Sequence, residues 1–135
     1  PTLLDLAGVP IPDEVEGESL LPLINGKMEK WRAYVHGEHA PGEGSESGWQ
    51  FLTDGRQKYI WDTVTGDEMY FDLERDPQEL HNRIADPECG DAVAYWRGEL
   101  ARLLSTRGDS GLSDGERLIA GSSLPPVRPW LTEQE

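Results

Sequence analysis

The 135 residues carry 26 acidic side chains against 12 basic ones, a formal charge of -14. That charge repels phosphate backbones and anionic membrane surfaces alike, which sets nucleic acid and peripheral membrane partners aside. A chain of this length forms one domain at most, with a small core. No apolar run approaches the roughly 20 residues needed to span a bilayer. No basic segment precedes an apolar one in the manner of a secretion signal.

In chain order, "PTLLDLAG" reads as the tail of a helix already running: Leu3, Leu6 and Ala7 share a face and Gly8 stops it. The chain also starts without a methionine, so a piece of something longer is expected. "VPIPDEVEGESLLPLINGKME" alternates turn residues with short apolar runs, and only Ser19 to Ile24 can make a helical turn before Asn25-Gly26 ends it. Residues 1–30 are thus expected to form a connector that begins with the end of a helix from a preceding domain.

The middle is better organised. "WRAYVHGE" (31–38), "WQFLTD" (49–54), "QKYIWDT" (57–63) and "DEMYFDL" (67–73) are rich in aromatic and β-branched residues and read as four strands. Pro41 to Gly48 reads as an acidic loop between the first two. Asp54-Gly55 suits a tight hairpin and Thr65-Gly66-Asp67 a three-residue link, so the last three strands should form an antiparallel meander. Alternation puts Met69, Phe71 and Leu73 on one face and Glu68, Tyr70 and Asp72 on the other, and separates Tyr59 and Trp61 from Lys58 and Ile60.

One face needs a cover. Asp91 to Arg107 is the best amphipathic helix in the chain, with Val93, Trp96, Leu100, Leu103 and Leu104 at three- and four-residue steps before Gly108. A shorter helix is expected from Asp76, with Asp76 as cap, Pro77 at the first helical position and Glu79 as capping-box partner. The fold class is therefore α+β: a small antiparallel sheet of about four strands covered by a C-terminal amphipathic helix, spanning residues 31–108. Residues 109–135 are expected to be an extended tail anchored by Trp130.

Few residues suggest chemistry. His36 and His39 flank Gly37 and Glu38, and paired histidines are common in zinc and iron sites. The spacing argues against an ion here, because residues three apart on a strand face opposite sides unless Gly37 bends the chain, and no third ligand is identifiable. Two readings remain: a strand end with one histidine packed or hydrogen-bonded, or a pocket lined by a histidine or Glu38 and completed by another part of the parent protein. The single cysteine, Cys89, excludes an internal disulfide and a cysteine-based zinc cluster. It lacks a base partner nearby and reads as a loop thiol rather than a nucleophile. The acids Asp13, Glu14, Glu16 and Glu18 do not match the spacing of a calcium loop. Lys58, beside Tyr59 and Ile60, reads as a surface lysine, with service to an anionic substrate as the sharper alternative.

The order of "PTLLDLAGVPIP", "GESLLPLINGK", "YVHGEH" and "FLTDGRQKYIWDTVTGDEMYFDLERDPQELHN" resembles the C-terminal subdomain of the sulfatase family, in the alkaline phosphatase superfamily. The resemblance extends to about Arg107, and "YFDLERDPQELHN" after "TDGRQKYIW" is its most specific part. "SDGERLIAGSSLPPV" also looks like the tail of bacterial arylsulfatase-like members. The resemblance implies a parent enzyme that cleaves sulfate esters with a formylglycine beside a calcium ion. The formylglycine precursor is a Cys/Ser-x-Pro/Ala-x-Arg motif, which is absent from these residues; Cys89 is followed by Gly90-Asp91-Ala92. No catalytic residue, metal ligand or cofactor is therefore expected within this chain.

The partner that the resemblance implies is the N-terminal catalytic domain of the same polypeptide, and the substrate a sulfate ester. His36, Glu38 and His39 are the candidates to line the substrate cleft. Cytoplasmic, periplasmic and secreted locations are all compatible with it. Five tryptophans and a proline-bearing tail are plentiful for so small a core. An exposed apolar patch and self-association through that domain interface are expected of the isolated chain, checked by light scattering and apolar-dye binding. Two alternatives stand beside this reading: the C-terminal part of a phosphonate or phosphodiester hydrolase of the same superfamily, or a stand-alone binding or oligomerisation module.

Overall fold

The computed structural model describes residues 1–15, 17–28, 31–39, 48–107 and 111–121. Two compact units divide the chain, one of residues up to Ala33 and one from Tyr34 onward. In the first, helix α1 (Thr2–Leu6) and the single turn α2 (Leu21–Ile24) are tied by Ser19, whose hydroxyl donates to Asp5, and by the Leu20 N–H, which donates to Thr2 Oγ1 at 3.0 Å. Gly8 and Gly26 end the two helices in the left-handed conformation expected of them. This unit leaves Leu3, Leu6 and Ile24 largely exposed.

The second unit is α+β, as its sequence pattern predicts. Strands β1 (Val35–His39), β2 (Trp49–Thr53), β3 (Gln57–Asp62) and β4 (Glu68–Asp72) form one antiparallel sheet in the order β1-β2-β3-β4. The hairpins are built by aspartates. Asp54 Oδ1 accepts the N–H groups of Arg56 and Gln57 at 2.8 and 2.7 Å, and Asp62 Oδ1 those of Val64 and Thr65 at 2.8 and 2.9 Å. Gly55 and Gly66 supply the positive φ that each turn needs. The first strand is shorter than its sequence suggests, because "WRAY" stays outside the ladder. Of the acidic loop expected at Pro41 to Gly48 only Gly48 is among the described residues, and the expected stop at Gly108 and anchor at Trp130 lie outside them.

Helix α3 (Gly90–Ser105) follows a 3-10 turn at Pro87–Cys89 that Asp86 caps through the Glu88 N–H. It covers the face of the sheet that carries Leu52, Tyr59, Trp61 and Tyr70, and its Val93, Trp96, Leu100 and Leu104 complete one core with them. Trp96 Nε1 donates to Gln57 Oε1 at 2.7 Å, so the indole is buried without an unpaired donor. Cys89 belongs to this core rather than to a loop, and burial pushes its thiol pKa up, which leaves it a poor nucleophile. Leu112 is buried there too, so residues 111–121, expected as part of an extended tail, instead fold back as a turn closed by the Ser113–Leu118 bridge.

The short helix expected at Asp76 does not form. Glu79 takes a left-handed backbone (φ 56°), and its carboxylate reaches Lys58 instead of the cap. Asp76 accepts the His81 N–H across the loop at 2.8 Å. The segment from Asp72 to Ile84 is a strap along the free edge of β4. Asp72 ties its first turn through the N–H groups of Glu74 and Arg75. Asn82 Oδ1 then accepts the N–H of Tyr70 at 3.0 Å, while the Arg83 N–H donates to the Tyr70 carbonyl at 2.8 Å. This gives the spacing of "YFDLERDPQELHN" a physical purpose: the strap satisfies backbone groups that an edge strand would leave open.

Candidate functional site

The opposite edge of the sheet is β1, which holds all three residues singled out from sequence. It pairs with β2 in regular register, His36 opposite Leu52, Gly37 opposite Phe51 and Glu38 opposite Gln50. Alternation therefore sends His36 and Glu38 to the helix-covered face and His39 to the other. Gly37 does not bend the strand, so the two histidines diverge.

His36 and Glu38 are brought together by residues far away in sequence. His36 Nε2 donates to Gln50 Oε1 at 2.7 Å, and Gln50 is fully buried at an inward position of β2. The Glu38 carboxylate receives both terminal nitrogens of Arg107, at 2.6 and 3.2 Å, from just beyond the end of α3. The Arg107 guanidinium holds the Glu38 carboxyl below its ordinary range, opposed by partial burial and helped by Gln50 and His36. Both members of the pair keep about two-fifths of their side chains in solvent, 42% for Glu38 and 43% for Arg107.

On the other face, the Phe51 ring lies across Gly37 so closely that a Cβ there would sit 2.1 Å from its Cζ. Lys58 Nζ stands 5.3 Å from the centre of the same ring and donates to both carboxylate oxygens of Glu79, at 3.0 and 2.8 Å. Lys58 is therefore part of an ion pair with Glu79 rather than a lone surface lysine. Among the described residues no group of three or more His, Cys, Asp or Glu side chains could hold a metal ion.

Gln50 and Arg107 escaped the sequence reading. A glutamine at the inward position beside Leu52 was the available signal for the first. Arg107 had none, since its partner lies 69 residues away.

The edge thus gathers a carboxylate bound to an arginine beside an imidazole bonded to a buried amide. No helix among the described residues is long and apolar enough to cross a membrane.

Comparison with known proteins places the chain. The family described as N-sulphoglucosamine sulphohydrolase, C-terminal, matches residues 1–106. An arylsulfatase of Clostridium perfringens is 43% identical over 131 residues, 95% of this chain and 26% of that protein. The chain thus spans about a quarter of the length of this curated relative. A solved 2-O GAG sulfatase superposes with a TM-score of 0.68 at 25% identity, over 95% of this chain and 30% of that one. A phosphonate monoester hydrolase from Silicibacter pomeroyi superposes with a TM-score of 0.64 at 26% identity, over 84% of this chain and 25% of that one. The same fold thus accompanies enzymes named for sulfur and for phosphorus esters.

Proposed function

The chain belongs to the family of N-sulphoglucosamine sulphohydrolase C-terminal domains, and from that membership we propose that it lines the substrate cleft of a sulfuric ester hydrolase through β1, the bond-breaking groups residing elsewhere in the polypeptide. The observation that carries this reading is the pairing of His36 and Glu38 on an edge strand, each held by a remote partner, His36 part-buried and Glu38 still open to solvent. Groups immobilised in this way spend little entropy when a ligand arrives.

The chemistry of the edge suits the alcohol portion of a sulfate ester. Glu38, kept ionised by Arg107, accepts hydrogen bonds from hydroxyl groups, and the second ring nitrogen of His36 offers another polar contact. His39, exposed on the opposite side of the strand end, contacts a different part of the ligand. Remote contacts of this kind orient the ester and discriminate among alcohols without touching the sulfur.

The described residues do not fit the two groups that the family implies. The buried Cys89, followed by Gly90-Asp91-Ala92, does not fit a formylglycine. The described carboxylates do not gather into a calcium cage. We therefore assign calcium and formylglycine to the catalytic domain of the same polypeptide, and derive no step through them here.

The test is kinetic, on the full-length enzyme. His36→Ala, Glu38→Gln and His39→Ala should each raise KM by about threefold to tenfold, the worth of one hydrogen bond, unevenly across esters of different alcohols and with kcat retained. Unchanged kinetics for all three variants across such a panel sinks the reading.

A further inference from the structure

The outer face of the sheet carries a stack that ends on the candidate site without belonging to it. Glu79, left-handed at φ 56°, grips Lys58 through both carboxylate oxygens. Lys58 stands over the Phe51 ring, and the ring occupies the space beside Gly37, the residue between His36 and Glu38. The register explains the reach: Phe51 pairs directly with Gly37, and Lys58, opposite Thr53, is its diagonal neighbour on the same face.

We infer that this Glu79–Lys58–Phe51 stack positions the edge strand β1, and through it sets the specificity of the substrate edge that His36, Glu38 and His39 form. The inference rests on the cleft-lining role proposed above and deepens it by naming the residues that act through others.

The physical argument starts from the glycine. An edge strand is hydrogen-bonded along one side only, and a glycine at its centre offers no side chain to pack against the neighbouring strand. The Phe51 ring fills that gap and presses directly on the strand backbone. Its own position depends on Lys58, because a cation over an aromatic face holds the ring by electrostatic attraction. Lys58, a flexible side chain, is fixed in turn by the two-oxygen contact with Glu79. Glu79 holds a backbone conformation that a non-glycine residue rarely adopts. The strap from Asp76 to Asn82 holds it there, through Asp76 to the His81 N–H and Asn82 to the Tyr70 N–H. A loop at one side of the sheet is thereby coupled across β3 and β2 to the strand at the other side.

The experiment uses the full-length enzyme carrying Phe51→Leu, Phe51→Tyr or Glu79→Gln, beside His36→Ala and His39→Ala. Glu79→Gln keeps the shape of the side chain and guards against a Phe51→Leu protein that fails to fold. Two readouts are taken: amide hydrogen exchange across residues 35–39, and KM and kcat over sulfate esters with different alcohols. Faster exchange in β1, with exchange in β4 unchanged, is expected of Phe51→Leu and Glu79→Gln. With it comes a rise in KM of up to about tenfold at retained kcat, and Phe51→Tyr, which keeps the ring, restores the parent values. Exchange and KM both unchanged overturn the inference. If the histidine variants shift KM while Phe51→Leu and Glu79→Gln do not, the cleft reading stands and the stack falls. If β1 exchanges faster but no variant, histidines included, shifts KM, the cleft reading has failed and the stack's role in specificity goes with it.

Discussion

Replacing Glu68 by methionine tests the polar buttress beneath α3. Tyr59 is fully buried, and its hydroxyl donates to Glu68 Oε1 at 2.6 Å; Arg97 of α3 donates to both oxygens of the same carboxylate, at 2.6 Å each. Glu68→Met keeps the volume and leaves the buried Tyr59 hydroxyl proton without its acceptor, Arg97 being a donor only, at a cost of about 1–3 kcal/mol. The ion pair adds less, because the Arg97 side chain is 44% exposed and an exposed pair is worth about 0.5–1 kcal/mol. The expected loss is about 2–4 kcal/mol, a large share of a typical domain's total of about 5–15 kcal/mol. Urea denaturation of this chain, followed by tryptophan fluorescence, should show the midpoint falling by about 1–2 M at unchanged slope. In a Tyr59→Phe background there is no hydroxyl to strand, and the same substitution should cost about 1 kcal/mol or less. Equal costs in the two backgrounds would show that Glu68 does not satisfy the tyrosine, and the reasoning would fail.

Acid should weaken the fold from the same direction. Glu68 sits below its ordinary value of 4.5 although burial pushes it up, because its bonds from Arg97 and Tyr59 prevail; Arg107 lowers Glu38 and Arg102 lowers Glu99. A folded-state pKa below the unfolded one contributes stability that is complete above about pH 4.5 and is lost as pH falls through the folded value. Thermal melts should therefore be flat from neutrality to about pH 5 and drop below about pH 4.5, and a melting temperature constant down to pH 3 would contradict these assignments. Asn82→Ala should strip the acceptor from the N–H groups of Tyr70 and Ile84 and cost about 1–3 kcal/mol, lowering Tm by several degrees. Asn82→Asp, which keeps an acceptor oxygen, should recover most of that loss, and equal Tm values for the two variants would mean that the strap does not depend on this contact.

The alternation of "WQFLTD", "QKYIWDT" and "DEMYFDL", with Asp54-Gly55 and Thr65-Gly66 between them, was enough by itself to determine a three-stranded meander, since hairpin chemistry and period-two patterning are local properties of the chain. The same holds for α3, whose apolar stripe needs no partner to be read, and for the resemblance carried by "YFDLERDPQELHN". Which face α3 covers was not local: Tyr59, Trp61 and Tyr70 or Ile60, Met69 and Phe71 both looked apolar enough, and only the packed helix selected the first set. The missing helix at Asp76 shows the other limit. Its capping signals were genuine, but Glu79 found a lysine 21 residues earlier in the chain, and a bidentate ion pair on the sheet outweighed a single turn of helix. The candidate site was half legible for the same reason. His36, Glu38 and His39 stood together in the sequence, whereas Gln50, Arg107 and the Phe51 ring that hold them came from 14 to 69 positions away. Strand pairing and helix packing, not proximity along the chain, decide what a side chain on an edge strand meets.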